Sequence, residues 1–260
     1  MKGKEALNAD DFEFESCRVA CQNVYLPAYQ PPPFHTERVS NAAMSTLTTN
    51  PLPSQLSPKP RRVGRPRAFN RDHALEAAMR VFWRRGYEGA SLTELTRAMG
   101  INRPSLYAAF GDKAALFRES VARYGVGPGR YVRRALGRPT ARQVAETLLR
   151  GAVAAATDET MPRGCLWVQG ALVAAAESEN IRQEMAALRD GGTAQIEERL
   201  ERARRDGDLP QNTDVAALTL YLVSVMNGIS VQAAGGKSRE ALHRVVELAL
   251  TAFPAALPTA

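Results

Sequence analysis

The chain has 260 residues, 45% of them hydrophobic and 7% aromatic, enough to bury a core in one large or two modest domains. Abundant alanine favours helix over strand. No apolar run reaches the ~18 residues a membrane span needs, and no basic-then-apolar leader with a small-residue cleavage site opens the sequence. Cys17, Cys21 and Cys165 make no disulfide framework, so a cytoplasmic protein without a membrane partner is expected. The net charge of +7 is uneven: residues 59–138 hold 18 Lys and Arg against 6 Asp and Glu, and that surplus of 12 leaves the rest of the chain at −5. A basic module joined to a mildly acidic one suits a DNA reader with a second, non-DNA domain.

Residues 1–66 are expected to be a disordered, basic and Pro-rich N-terminal extension, because Pro31, Pro32, Pro33, Pro51, Pro53, Pro58, Pro60 and Pro66 interrupt it repeatedly. Met1 and Met44 are both possible starts. Helix 1 is expected over residues 71–85, capped by Asn70 and stopped by Gly86. Ser91 and Glu94 form a capping box at the start of helix 2, whose Leu92, Leu95 and Met99 point inward. Gly100 supplies a left-handed turn residue and Ile101 plugs the core beneath it. Helix 3 should span residues 103–109 with Asn102 as its cap and Pro104 in its first turn. Asp112 caps helix 4. Two short amphipathic helices joined by a glycine turn are the build of a helix-turn-helix, a device that lays one helix in the DNA major groove.

These residues carry a resemblance to the TetR family of bacterial transcriptional regulators. It rests on residues 74–82, Gly86-Tyr87, residues 91–99, Gly100-Ile101 and Leu106-Tyr107, followed by Phe110, Lys113 and Leu116-Phe117. About fifty residues match closely. Two departures stand out: Asn102-Arg103 replaces the commoner small hydroxyl start of the recognition helix, and Ala108-Ala109-Phe110 replaces the frequent His-Phe pair. The resemblance implies an all-α fold: a three-helix, helix-turn-helix DNA-binding domain (residues 67–118) followed by a helical effector-binding and dimerisation domain (residues 119–256). It implies double-stranded operator DNA as partner, a homodimer, and a repressor released by a small molecule.

Arg103 is the leading residue for base readout, since its planar fork can hold guanine O6 and N7 together; a phosphate contact is the equal alternative. Asn102 can read adenine or simply cap its helix. Ser105 is small enough to let the helix approach the groove floor, or is only a helix-start residue. The Tyr107 hydroxyl points at a phosphate, or its ring packs in the core. Thr93 and Lys113, at the starts of helices 2 and 4, suit phosphate contacts. Ahead of helix 1 lies Arg61-Arg62-Val63-Gly64-Arg65-Pro66-Arg67, which looks like an AT-hook. Arg65 and Arg67 would enter a narrow minor groove, unless the stretch is a flexible basic linker.

Residues 125–139 read as a Gly- and Arg-rich loop or frayed helix end. Val144, Leu148 and Ala152 mark helix 5, and the apolar stretch 165–176 marks a centrally buried helix 6. Ile181, Met185, Leu188, Ile196 and Leu200 mark a long helix 7, weakened by Gly191-Gly192. Val215, Leu218, Leu222, Val225, Met226 and Ile229 stripe helix 8; Leu242, Val246, Ala249 and Phe253 stripe helix 9. Those stripes either pair across a two-fold as a four-helix bundle or close the monomer core; the resemblance favours the dimer through helices 8 and 9. It also implies an effector pocket, for which Tyr124, Cys165, Trp167, Gln169 and Met185 are the candidates. Cys165 at a helix start beside Arg163 is a possible redox or electrophile sensor, against the plainer role of a small buried hydrophobe. An enzyme is disfavoured: His35, His73 and His243 are scattered, and no metal, phosphate-loop or serine-elbow spacing appears, so no cofactor is expected. A nonspecific architectural DNA binder is the remaining rival.

Overall fold

The computed structural model describes residues 69–170 and 178–254, and every regular element among them is helical. In chain order these are α1 (Arg71–Gly89), α2 (Leu92–Met99), α3 (Arg103–Phe110), α4 (Lys113–Val126), a 3-10 turn (Pro128–Arg130), α5 (Tyr131–Leu136), α6 (Ala141–Ala156), α7 (Leu166–Gln169), α8 (Glu179–Arg205), α9 (Val215–Ala234) and α10 (Arg239–Thr251). The N-terminal extension, the basic arm with Arg65 and Arg67, Cys17, Cys21 and residues 171–176 of predicted helix 6 lie outside the described residues.

Local signals place the first four helices. Asn70 Oδ1 accepts from the N–H groups of Asp72 and His73, and Gly86 breaks α1 with φ of 69°. The α2 cap is half of a capping box. Ser91 Oγ accepts from the Glu94 N–H, but the Glu94 carboxylate turns to Arg85 at 3.3 Å. A charged partner nearby outcompetes a backbone N–H that water can satisfy. Gly100 closes α2 at φ 64°, ψ 30°, a left-handed conformation that disfavours any residue with a Cβ.

Two apolar clusters organise the chain. One joins α1 to α4 through Phe82, Trp83, Leu95, Leu106 and Phe117, and continues into Tyr124, Cys165, Leu166, Ile181 and Met185. The other is built from α5, α6, α9, α10 and the C-terminal half of α8, around Leu148, Leu149, Leu200, Leu222 and Val246. α4 runs unbroken from Lys113 to Val126, so the N-terminal helices and the helical body share one element. Ion pairs reinforce it: Arg123 to Glu76 of α1 at 2.7 Å, and Arg118 to Glu184 of α8 at 2.6 Å.

Several expectations are corrected here. Residues 125–139 are largely helical: Tyr131, Val132 and Ala135 of α5 are buried, and the Tyr131 ring seats against Gly151 of α6. Tertiary packing overrides the local Gly and Arg content. Predicted helix 7, by contrast, is the long α8, which runs continuously through Gly191 and Gly192 with Leu188, Ile196 and Leu200 buried on either side. Most of the stripe residues of predicted helices 8 and 9 close the monomer core: Leu218, Leu222, Ile229, Leu242, Val246, Ala249 and Phe253 are buried, while Val225 and Met226 are half-buried. Finally, Val215–Ala234 is long and apolar enough to cross a membrane by length and composition, with a mean hydropathy of 1.5. Scattered Thr, Ser, Asn and Gln disguised a stretch with no charge between Asp214 and Lys237.

Candidate nucleic-acid interface

α3 presents two different sides. Leu106 and Phe110 are buried against α1 and α4, whereas Arg103, Pro104, Tyr107 and Ala108 face out. Tyr107 is 49% exposed, so its ring is surface and not core. Arg71 fixes the helix from behind: its guanidinium reaches both Glu119 oxygens at 2.7 and 2.8 Å, donates to the Ala109 carbonyl at 3.3 Å, and stacks 4.4 Å from the Phe110 ring. One residue thereby fastens α1, α3 and α4 together. Nothing in the sequence pattern distinguished Arg71 from a solvated arginine.

Thr93, Asn102, Arg103 and Lys113 stand at or beside the starts of α2, α3 and α4. Asn102 caps α3 by accepting the Ser105 N–H at 2.9 Å, which engages its carbonyl oxygen and leaves its amide donors outward. Arg103 is exposed, and its Nη2 donates to Thr93 Oγ1 at 3.0 Å. That bond links the starts of α2 and α3 and pre-positions the guanidinium, which can exchange one exposed acceptor for another. Ser105 is half-buried behind it. Asp112 caps α4 through the Ala115 N–H at 2.7 Å. Lys113, the first residue of α4, rests its ammonium 4.6 Å from the Tyr87 ring centroid. Partial burial lowers the Lys113 pKa, an effect Glu88 opposes, while the ring face keeps the cation oriented. Arg97 is exposed on the same side of α2.

The five residues considered for an effector pocket separate. Tyr124 is wedged between Trp83 and Trp167, ring centroids 4.8 and 4.9 Å away and edge-on to each, and its hydroxyl donates to Cys165 Sγ at 3.3 Å. Burial, then the neighbouring Cys165, pushes the Tyr124 phenol well above its ordinary value. Met185 is buried against Gly170. Gln169 instead borders a separate cleft beside Trp83.

Cys165 departs from the activated thiol considered above. It is 6% exposed, and burial raises its pKa, outweighing the hydrogen bonds from Tyr124 and the backbone. Arg163, expected to favour a thiolate, turns away: its Nε donates to the Ala233 carbonyl at 2.9 Å and its Nη2 to that of Lys237 at 2.6 Å, closing the end of α9. A four-residue α7 also offers little dipole.

The sequence reading missed a surface on the last two helices. Leu220, Val231, Val245 and Leu248 are 63%, 57%, 45% and 73% exposed. On α9 the outward line continues through Ser224 and Gly228, where an added Cβ would meet nothing within 4 Å. The uncharged stretch after Asp214 was its signal: a helix apolar on more than one side needs more than one partner.

Comparison with known proteins agrees with this architecture. Residues 74–120 match the family described as bacterial regulatory proteins, tetR family, and residues 144–249 match the tetracyclin repressor-like C-terminal domain. The chain is 30% identical over 200 residues to the HTH-type transcriptional repressor ComR of Escherichia coli K12, covering 74% of this chain and 92% of that protein. It is 29% identical over 192 residues to the repressor AcnR of Corynebacterium efficiens, covering 70% and 91%. Among solved structures it resembles the TetR family regulator CifR, a cysteine mutant in complex with 26-bp operator DNA, at 51% identity and a TM-score of 0.70, over 73% of this chain and all of that one.

Proposed function

The chain belongs to the TetR family of bacterial transcriptional regulators, and from that premise we propose that it is a homodimeric repressor that leaves its operator when a small molecule binds its body. The observation that carries this reading is the outward side of α3, where Arg103 and Tyr107 stand exposed on a helix locked from behind by Leu106, Phe110 and Arg71. Arg103 reads bases, aided by Asn102 and Ser105. Thr93, Tyr107 and Lys113 hold phosphates, and Arg65 and Arg67 reach the flanking minor groove. Residues 67–118 form the reading head, and residues 119–256 sense and dimerise.

One such head offers a small interface, so a second is needed for specificity. The exposed line of Leu220, Val231, Val245 and Leu248 on α9 and α10 supports pairing around a two-fold into a four-helix bundle. That symmetry sets two α3 helices about 34–36 Å apart on a near-palindrome. The effector acts on the cluster of Tyr124, Cys165, Trp167 and Met185. Tyr124 lies on α4, so a ligand that re-seats it moves the head through the shared helix, provided the ligand prefers the released state.

Footprinting on the DNA beside its own gene tests the proposal. A protected, two-fold symmetric site that survives excess random duplex at constant salt is the expected result. Equal affinity for every duplex would instead indicate an architectural binder.

A further inference from the structure

We propose that the cleft between α1, the α6–α7 loop and the C-terminal end of α9 binds a small organic anion, and that its occupancy governs how α1 is held against the body. This rests on the ligand-responsive reading above but adds a second site: the cleft lies outside the Tyr124 cluster and meets it only at Trp83, whose ring packs on Tyr124. The cleft has a volume of about 600 Å³ and is lined by Arg80, Trp83, Arg84, Thr160, Arg163 and Gln169, with Met161 and Pro162 as its apolar wall.

Among the described residues, three guanidinium groups line it and no carboxylate does. One of the three, Arg80, is already ion-paired, and Asp158 is turned to the loop itself. Glu76 holds Arg80 at 3.3 Å and Arg123 at 2.7 Å, and Asp158 accepts from the Thr160 N–H and hydroxyl at 2.9 and 2.7 Å. Arg163 spends its hydrogen bonds on the neutral Ala233 and Lys237 carbonyls, which leave its charge uncompensated. Arg84 is exposed and has no ion-pair partner among the described residues. Trp83 adds an independent sign: it is 1% exposed, and its indole N–H has no acceptor among the described residues. An unpaired buried donor carries a desolvation penalty. Guanidiniums, the Gln169 amide and a short apolar wall together fit a carboxylate or phosphate group on a compact organic body.

The position of the cleft makes it regulatory. Arg80 donates to the Thr160 carbonyl at 2.7 Å, tying α1 to the loop, and Arg163 ties the same loop to the end of α9. At Gly164 the loop comes so close to α9 that an added Cβ would lie 3.2 Å from the Ala234 Cβ. An anion gripped by Arg84 from the head and Arg163 from the loop bridges the two, and biases whichever head orientation closes the cleft.

Calorimetric titration of the full chain with phenyl phosphate and with benzoate, at constant ionic strength, tests the site, with benzyl alcohol as the neutral control. Arg84→Gln is the variant, since it removes charge and Arg84 makes no hydrogen bond or ion pair among the described residues; an unchanged thermal melt verifies its fold. Saturable binding of at least one anion, none of benzyl alcohol, and roughly tenfold weaker binding to Arg84→Gln are expected. The bound anion should change wild-type operator affinity more than that of the variant. Absence of saturable anion binding, equal binding by both proteins, or loss of operator affinity in Arg84→Gln without anion would overturn the proposal, the last by placing Arg84 on the duplex. Anion binding by a protein with no preferred duplex would leave the site standing and remove the repressor reading. Tight operator binding without anion binding would do the reverse.

Discussion

Replacing Arg103 with alanine should leave the fold nearly intact and remove much of the base preference. Arg103 is exposed at the first position of α3, and its recorded bond is the 3.0 Å contact with Thr93 Oγ1. A hydrogen bond between two surface side chains contributes at most about 1 kcal/mol, so the denaturation midpoint should barely move. In the proposed readout the guanidinium exchanges Thr93 for a guanine edge, and such a forked contact discriminates between bases by about 1–3 kcal/mol. Two heads of a symmetric dimer double this to about 2–6 kcal/mol, a selectivity loss of about thirtyfold or more. Fluorescence anisotropy competition between the footprinted operator and a random duplex, at one salt concentration, measures that ratio directly. The salt slope should fall only slightly, because a base contact displaces few counterions. If operator and random duplex weaken equally, Arg103 touches only phosphate and the readout assignment fails.

Three further expectations follow from the geometry. Leu248, 73% exposed on α10, is spare to the monomer core; Leu248→Asp should therefore shift sedimentation toward monomer and weaken operator binding with little loss of helicity, and an unchanged dimer would move the interface elsewhere. In a chain carrying Cys17→Ser and Cys21→Ser, Cys165 should resist alkylation at neutral pH, because burial raises its thiol above the ordinary 9.0. The folded state favours the neutral thiol, so this contribution to stability is whole below that ordinary value and is lost as pH rises through the folded pKa; rapid labelling of native protein would contradict it. Gly151→Ala should destabilise the body by about 1–3 kcal/mol through overpacking, since the new Cβ would sit 2.6 Å from Tyr131 atoms; an unchanged urea midpoint would show that α5 yields freely.

The reading head was legible because its determinants are local. Asn70, Ser91, Gly100, Asn102 and Asp112 each sit within a few residues of the backbone groups they satisfy, and the structure finds all five at helix ends. Tertiary structure decided the rest. α5 forms because Tyr131 meets Gly151 twenty residues away, which no local propensity encodes. Glu94 abandons its capping role because Arg85 lies across the turn. Arg163 and Cys165 are neighbours in sequence, yet one guanidinium goes to the end of α9 while the other side chain is buried under Tyr124. Likewise, periodicity marked one apolar stripe on α9 and one on α10 but missed the second, outward line on each. Burial is a property of the assembled helices, and it assigned Leu222 and Val246 to the core and left Leu220 and Leu248 facing outward.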